Sequence, residues 1–318
     1  MALVLAACHR APPPPSNVTP QKALATSLRL TAEGDLDGLM RNRLPPADYS
    51  AWRAQWAKQH AHPIPASIAH QKQFAQIMRL LTAPDAEAAL RKRLAPQLAQ
   101  LRSGKDATIP IFASILEATG KDLVTNSPQL GTAQKQLATA ALGAVVTWAQ
   151  KADLGNAKKA DKAIAIATAT ARQLHVATLA QWRALDYAQT MHAYGVIWRG
   201  LENILDIYGL HLADALTSAD VSVPLNNVTH VIVKLDLTIA GKHLSGQWPM
   251  VEQAGHWYDA ALLTAWEKAH PASASSGAQP AAAGSTAPAS AASTGAAPGP
   301  AAAASTSTAP ASAAQRRS

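Results

Sequence analysis

The sequence predicts a mainly α-helical protein, built from packed helical hairpins, with a small three-stranded antiparallel sheet near the C-terminal end of its core. Three observations predict this fold class. Alanine-rich stretches with apolar residues at helical spacing fill much of the chain. A pattern near residue 20 returns about fifty residues later, which gives a two-fold internal repeat as one interpretation. Alternation of β-branched and polar residues is found only after Pro224.

Composition divides the 318 residues into four segments. They are residues 1–7, 8–19, 20–271 and 272–318. The third is the predicted core, and it is long enough for one large or two small hydrophobic cores. The fourth contains no Leu, Ile, Val or aromatic residue. We expect it to be disordered because it cannot bury enough apolar surface to offset the entropy of ordering. It is either a low-complexity tail without a partner or a spacer that carries Arg316 and Arg317 towards an anionic surface.

The only cysteine lies in the opening stretch MALVLAACHRAPPPP. Leu5-Ala6-Ala7-Cys8 places an aliphatic and two small residues before the thiol, which resembles the lipobox of bacterial lipoproteins. The resemblance implies cleavage before Cys8 and acylation of Cys8, so that residues 1–7 are a signal-peptide remnant. A secretory signal needs a charged start and roughly 7–15 apolar residues. Because only Ala2 to Ala7 lie between Met1 and Cys8 and none is charged, we expect the true start upstream of Met1. The alternative is a buried cysteine on a short apolar segment, which the following prolines disfavour.

Acylation of Cys8 would make the lipid the membrane anchor. The chain has no apolar stretch of the roughly eighteen residues or more that would span a bilayer. The prolines of residues 8–19 are typical of an extended tether. His9 follows the cysteine, whereas an Asp there retains enterobacterial lipoproteins at the inner membrane. The resemblance therefore implies a cell-envelope protein at the outer membrane, facing the periplasm.

The formal charge of +8 is spread along the chain rather than concentrated in blocks. No Lys/Arg-rich run with interleaved aromatic residues is present, so no nucleic-acid partner is predicted. Besides the membrane at Cys8, the expected partner is an anionic envelope polymer or a protein. The alternative is a solvated basic surface without a specific partner. No cofactor is predicted.

Residues 20–46 and 70–96 align over most of their length when a one-residue gap is placed in each. Both begin with Gln-Lys after one residue and end with Arg-x-Arg-Leu-x-Pro. The repeat candidates are residues 20–69 and 70–119. Each is interpreted as two helices joined by a capped turn, with Leu44 and Leu94 in equivalent buried positions. Chance similarity between helices rich in Ala, Leu and Arg is the alternative.

Local signals within these segments have structural explanations. The stretch from Thr82 to Asp85 resembles a capping box, which predicts a helix that starts near Pro84. Asp37 with Arg41, and Glu87 with Arg91, are oppositely charged pairs four residues apart on a helix. We therefore favour a structural role for these charges over an anion-binding or catalytic one.

Long packed helices are predicted downstream of residue 130. A break is expected near Asp153-Leu154-Gly155 and a bend between Gly195 and Gly200. Five aromatic residues in this region either line a pocket or, as we favour, belong to the core. They are Trp182, Tyr187, Tyr194, Trp198 and Tyr208.

The alternating region predicts a three-stranded meander at about residues 227–258, followed by a short helix in DAALLTAWEKA. Turns are expected at Ala240-Gly241-Lys242 and Gln253-Ala254-Gly255. The Gly-x-Trp-Tyr element at residues 255–258, together with an early GDLDGL, resembles parts of small helix-plus-curved-sheet lipoprotein domains of the NTF2-like type. No site residue follows from this resemblance.

Catalytic and metal-binding motifs are weak. The chain has no G-x-S-x-G, no phosphate-cradling glycine loop and no H-E-x-x-H. His60 and His62 are the closest pair of potential metal ligands, but no nearby Asp, Glu or Cys completes a site. Three further histidines, one on each predicted strand, could converge on one face of the sheet. They are His230, His243 and His256. Neither group is predicted to bind a metal.

The sequence thus predicts a membrane-anchored envelope lipoprotein that acts as a non-catalytic binding or scaffold protein. The alternative is an envelope hydrolase whose site is assembled from residues distant in sequence. An exposed apolar groove along stacked helices would favour the binding protein. A convergent pocket that holds an acid or a histidine with a strongly shifted pKa would favour the enzyme.

Overall fold

The computed structural model describes residues 17–61, 66–103, 108–226 and 230–270. The signal-peptide remnant, Cys8, the tether up to residue 16 and the segment 272–318 lie outside this part of the chain. Within it, the predicted mainly α fold with a small antiparallel sheet is confirmed. The elements are α1 (Pro20–Glu33), α2 (Leu36–Arg43), α3 (Pro46–Ala61), α4 (Ile68–Thr82), α5 (Ala86–Arg102), α6 (Thr108–Asn126), α7 (Thr132–Lys151), α8 (Ala157–Gln173), α9 (Leu179–Arg183), α10 (Tyr187–Ile207), α11 (Leu212–Thr217), β1 (Asp220–Asn226), β2 (His230–Ile239), β3 (Lys242–Gln253), β4 (His256–Asp259) and α12 (Ala260–Ala269).

The first helices are set by their capping residues. Thr19 accepts a hydrogen bond from the backbone N–H of Lys22, and Pro20 occupies the first turn of α1, where its missing N–H is tolerated. Gly34 ends α1 with φ of 68°, a left-handed conformation that favours glycine. Asp35 follows at once and caps α2. The GDLDGL motif is therefore a tight turn between two helices.

The matching helices of the two repeat segments end at different positions. Leu44 ends α2 in an extended conformation because proline follows it, and its side chain is 1% exposed. The second segment has Ala95 at the position of Pro45, so α5 continues through Pro96 and leaves Leu94 36% exposed. The predicted equivalent burial of Leu44 and Leu94 is wrong, and the internal repeat stays a prediction.

The predicted capping box before α5 is also wrong. The hydroxyl of Thr82 donates to the carbonyl of Met78 inside α4, and Asp85 makes no side-chain cap, although α5 begins at Ala86, two residues from the predicted start. Both predicted i,i+4 ion pairs are present. Asp37 and Arg41 approach to 2.9 Å, and Glu87 and Arg91 approach to 3.3 Å.

The predicted break between the long helices is confirmed, since α7 ends at Lys151 and α8 begins at Ala157. Gly195 and Gly200 do not interrupt α10, which runs through both. They mark close crossings instead. A Cβ atom on Gly195 would lie 2.3 Å from the carbonyl oxygen of Gly34, and one on Gly200 would lie 2.4 Å from Oγ1 of Thr170. The glycines let α10 approach the α1–α2 turn and α8.

The sheet has four antiparallel strands in the order β1-β2-β3-β4. The predicted meander accounts for β2, β3 and β4, and β1 adds a strand that the sequence prediction missed. Both predicted turns are two-residue hairpins, at Ala240-Gly241 and Ala254-Gly255, with positive φ at all four residues. The predicted final helix is α12.

One face of β2 supplies the centre of the main core. Alternate residues from Val231 to Ile239 are buried, as expected for a strand with one solvated face. This face packs with residues of α1 and α7, including Leu24 and Leu137. A second, smaller core joins Leu44 to Tyr258 and to the first turn of α12. The second core underlies the cleft described next.

Candidate ligand-binding cleft

A cleft of about 220 Å³ lies between α3 and α12. Each helix presents residues at positions i, i+3, i+4 and i+7, the spacing of one helical face. From α3 these are Trp52, Gln55, Trp56 and Gln59. From α12 they are Leu262, Ala265, Trp266 and Ala269. Met40, Leu44, Pro128, Gln129 and His270 complete the lining.

Helix α3 directs Trp52 and Trp56 to this cleft, and Tyr49 and Trp52 also pack against the second core. None of its residues is buried, although it carries two tryptophans and a tyrosine. Its first turn is joined to α12 by a hydrogen bond of 3.0 Å from the indole N–H of Trp266 to Asp48. The two walls are therefore connected at one end.

Tyr187 supports the two tryptophans of α3 from behind. Its ring makes edge contacts with both Trp52 and Trp56, each with 5.4 Å between ring centroids. The guanidinium of Arg53 lies 4.8 Å from the centroid of the same ring. Burial and the neighbouring Asp37 carboxylate raise the pKa of Tyr187 far above its ordinary value, so the phenol stays protonated. The wall is thus backed by a neutral, buried aromatic ring.

Two histidines stack on two of the tryptophans that line the cleft. His60 stacks on Trp56 with 3.7 Å between ring centroids, and His270 stacks on Trp266 with 3.8 Å. In both pairs the histidine Nδ1 is within hydrogen-bond distance of the carbonyl of that tryptophan, at 2.7 and 3.0 Å. Nδ1 must carry the proton, because a carbonyl only accepts. Each imidazole therefore covers one indole face.

Asp259 fixes the start of α12. It is 2% exposed and accepts hydrogen bonds from the backbone N–H groups of Ala261 and Leu262. Its second oxygen lies 2.6 Å from the guanidinium of Arg43 and 3.0 Å from the indole nitrogen of Trp248. This carboxylate joins α2, β3 and α12, so it sets where the second wall of the cleft lies. It also joins the C-terminal end of α2, at Arg43, to the end of β4.

The lining of the cleft is uncharged apart from the ionisable His270. No Asp, Glu, Lys or Arg is among its described residues. Its polar groups include the amides of Gln55, Gln59 and Gln129, which both donate and accept hydrogen bonds, besides the indole N–H groups, which only donate. The arrangement offers indole surfaces and amide groups but no pair of acids for general acid–base chemistry. It is suited to binding an uncharged molecule.

A second groove, of about 320 Å³, lies between the α1–α2 turn and α10. It contains Asp35, Asp37, His192 and Arg199. Asp35 caps α2, Asp37 pairs with Arg41, and Arg199 donates to a backbone carbonyl. These charged groups already have structural partners, in agreement with the structural role favoured from the sequence.

One buried acid lies outside both clefts. Glu202 on α10 is 6% exposed, and its Oε1 atom has no hydrogen-bond partner. Burial raises the pKa of Glu202 to about 7, and Asp206 adds to the increase, whereas Trp198 and Arg199 oppose it. Glu202 does not line either cleft. Its shifted pKa therefore belongs to the helical core.

The described members of the histidine groups singled out from the sequence do not come together as a metal site. His60 stacks on Trp56, and His62 lies outside the described residues. His243 pairs with Thr238 at the far end of β2 from His230, and eight residues of strand separate the two ends by about 26 Å. His256 lies beside Gln253 near the His230 end. No cluster of three potential metal ligands occurs in the described ranges.

The five aromatic residues noted in the sequence do not line one pocket. Tyr187 backs the cleft, and Trp182 packs with Phe74 and Tyr194 in a separate cluster. The residues that line the cleft between α3 and α12 were not singled out from the sequence. A signal was present, because Trp-x-x-x-His occurs at Trp56 and again at Trp266.

Comparisons with protein families, with curated proteins and with solved structures give no match for this chain. The likeness to NTF2-like domains therefore remains a resemblance of two short motifs. No helix in the described part of the chain is both long enough and apolar enough to cross a bilayer.

Proposed function

We propose that this chain is a lipid-anchored protein of the cell envelope that binds an uncharged ligand between α3 and α12 without chemical conversion. The observation that carries the proposal is the cleft itself. Two helices that are distant in sequence form its walls: α3 presents Trp52, Trp56 and two glutamines, and α12 presents Trp266 among smaller apolar residues. A concave site with aromatic walls and a few placed polar groups is typical of ligand binding.

The enzyme alternative has less support. A catalytic site would bring an acid or a histidine with a shifted pKa into a cleft. Glu202 has such a pKa but lies away from both clefts, and the acids of the groove beside α10 are already paired. The exposed groove along two helices is the feature that favours a binding protein. Hydrolysis stays the second candidate, and shortening of a ligand added to the protein would reveal it.

The anchor is proposed from Leu5-Ala6-Ala7-Cys8, and the start of the described chain is compatible with it. Asn17 is 3% exposed, its side chain donates to the carbonyl of Asn42, and its own carbonyl accepts from Trp257. The nine residues from Cys8 to Asn17 reach at most about 30 Å. An acyl group on Cys8 would therefore hold the core close to a membrane surface. We propose the periplasmic face of the outer membrane, from the His9 that follows Cys8.

The proposed function is tested with Cys8→Ser in a bacterial host. We expect the wild-type chain to be found with membranes, to carry an acyl mass increment and to lose residues 1–7. The variant is expected in the soluble envelope fraction without that increment, because the several acyl chains on Cys8 provide the attachment and a single chain would be marginal. An unchanged mass and unchanged membrane association would contradict the anchor. Ser16→Ala, in the same tether, is the matched control.

A further inference from the structure

The geometry of the cleft between α3 and α12 points to one class of ligand: we propose that it binds a neutral sugar ring. This inference rests on the proposed binding function and names its ligand. Pyranose rings are apolar on the faces that carry C–H groups and polar around the edge that carries hydroxyl groups. The cleft has the complementary arrangement, with the partly exposed indoles of Trp52 and Trp56 on one wall, the largely buried indole of Trp266 on the other, and amides from Gln55, Gln59 and Gln129.

The lack of charged residues in the lining disfavours ionic ligands. Because the lining contains no Asp, Glu, Lys or Arg, a phosphate, carboxylate or ammonium group would lose its water without gaining an opposite charge. Asp48 and Asp259 are close to α12, but neither lines the cleft, and one oxygen of Asp48 accepts from Trp266 while one of Asp259 accepts from Arg43. The ligand is therefore uncharged.

Size limits what can enter the cleft. Its volume of about 220 Å³ lies below the roughly 300–1,000 Å³ that is typical of sites for drug-sized molecules. The part of a ligand that enters the cleft is therefore small, of the order of one sugar ring.

Hydrogen-bond capacity separates a sugar from a proline-rich peptide, the other neutral ligand that aromatic grooves bind. Proline has no N–H, so such a peptide offers mainly acceptors. The three glutamines supply as many acceptors as donors, and those acceptors would be left unused. The indole N–H of Trp266, a donor that a peptide carbonyl could use, is already bonded to Asp48. Sugar hydroxyls both donate and accept, and so match the glutamines.

The test uses the full chain with Cys8→Ser, which avoids the need for a sugar-based detergent. Each of the eight tryptophans gives one indole N–H signal in a proton–nitrogen NMR spectrum. The probes are the trimer of N-acetylglucosamine, maltotriose and a capped tetraproline peptide. We expect at least one sugar to shift the signals of Trp52 and Trp56 while the signal of Trp182 stays in place.

Substitutions then separate the cleft from the rest of the protein. Trp56→Ala is expected to weaken sugar binding at least tenfold, and Gln55→Ala about threefold to tenfold. Trp182→Ala and Gln76→Ala, which alter the same residue types away from the cleft, should leave the affinity within twofold. Retention of affinity in both cleft variants would overturn the proposal, and the spectra of the variants report whether they remain folded.

The remaining outcomes distinguish this inference from the proposed function. If neither sugar shifts the cleft signals while tetraproline does, the sugar assignment fails and a binding protein for proline-rich chains remains. With that result, the proline-rich segments of this same chain would be the first ligands of the cleft to test. If mass spectrometry shows that the trimer becomes shorter, sugar recognition stands and the non-catalytic function fails.

Discussion

The protonation of Glu202 should make the stability of this protein depend on pH in a way that one substitution removes. Glu202 is 6% exposed, and burial raises its pKa from 4.5 to about 7. The folded state therefore keeps a proton that the unfolded state releases between these values. Where the folded state binds more protons, the free energy of unfolding falls as pH rises. The contribution of Glu202 to the free energy of unfolding is fully present below pH 4.5 and is lost as pH rises to about 7.

The size of the loss follows from the shift. At 1.36 kcal/mol per pKa unit, a shift of about 2.5 units corresponds to about 3 kcal/mol. Between pH 5 and pH 8 the wild type should lose about 2–3 kcal/mol through this group. Glu202→Gln keeps the shape of the side chain but cannot ionise. We expect it to match the wild type near pH 5 and to be more stable by this amount at pH 8.

The assay is urea unfolding of the wild type and the variant at several pH values from 5 to 8. Histidines and other groups titrate equally in both proteins, so the difference between the two curves reports Glu202 alone. Glu267→Gln, at an exposed position on α12, is the control and should run parallel to the wild type. If the Glu202→Gln curve is also parallel to the wild type, the reasoning about burial is refuted.

Three further predictions concern packing and the chain ends. Asp259→Ala leaves Arg43 without its partner and α12 without its cap, so we expect a loss of about 3–5 kcal/mol in urea unfolding, and a smaller loss for Asp259→Asn, which keeps a capping oxygen. Gly195→Ala forces a backbone shift and should lower stability by about 1–3 kcal/mol, whereas Gly143→Ala, with no atom within 4 Å of the new Cβ, should raise it by up to about 1 kcal/mol; equal effects would contradict the close crossing. Truncation after Pro271 removes no large apolar side chain and should leave the melting temperature unchanged; a fall of several degrees would show that the removed segment packs on the core.

Local signals in the sequence predicted local structure well. The alternation after Pro224 gave three strands and both of their turns, because side-chain period and turn chemistry depend on residues that are neighbours in the chain. The two i,i+4 ion pairs were predicted for the same reason. The main error, the predicted equivalent burial of Leu44 and Leu94, is explained by proline. A single change between Pro45 and Ala95 separates a helix end from a continuous helix, and the similarity around it hid the difference.

The cleft was beyond the reach of such signals. The α3 face from Trp52 to Gln59 is visible as helical spacing, but the opposite wall begins 203 residues later, at Leu262. Asp48 and Trp266 meet across 218 positions, and Arg43 and Asp259 across 216. Such pairs follow from tertiary packing, and no period in the sequence links their members.

The absence of buried residues in α3 has a consequence for how the protein moves. A helix opens locally with a free energy set by the apolar contacts it would lose, and the side chains that make these contacts in α3 are only partly buried. Its backbone amides should therefore exchange with solvent long before those of β2, whose alternate side chains fill the core. Part of the binding free energy would then be used to order α3. In hydrogen exchange, an occupied cleft would be recognised as slower exchange along one wall, with the sheet unchanged.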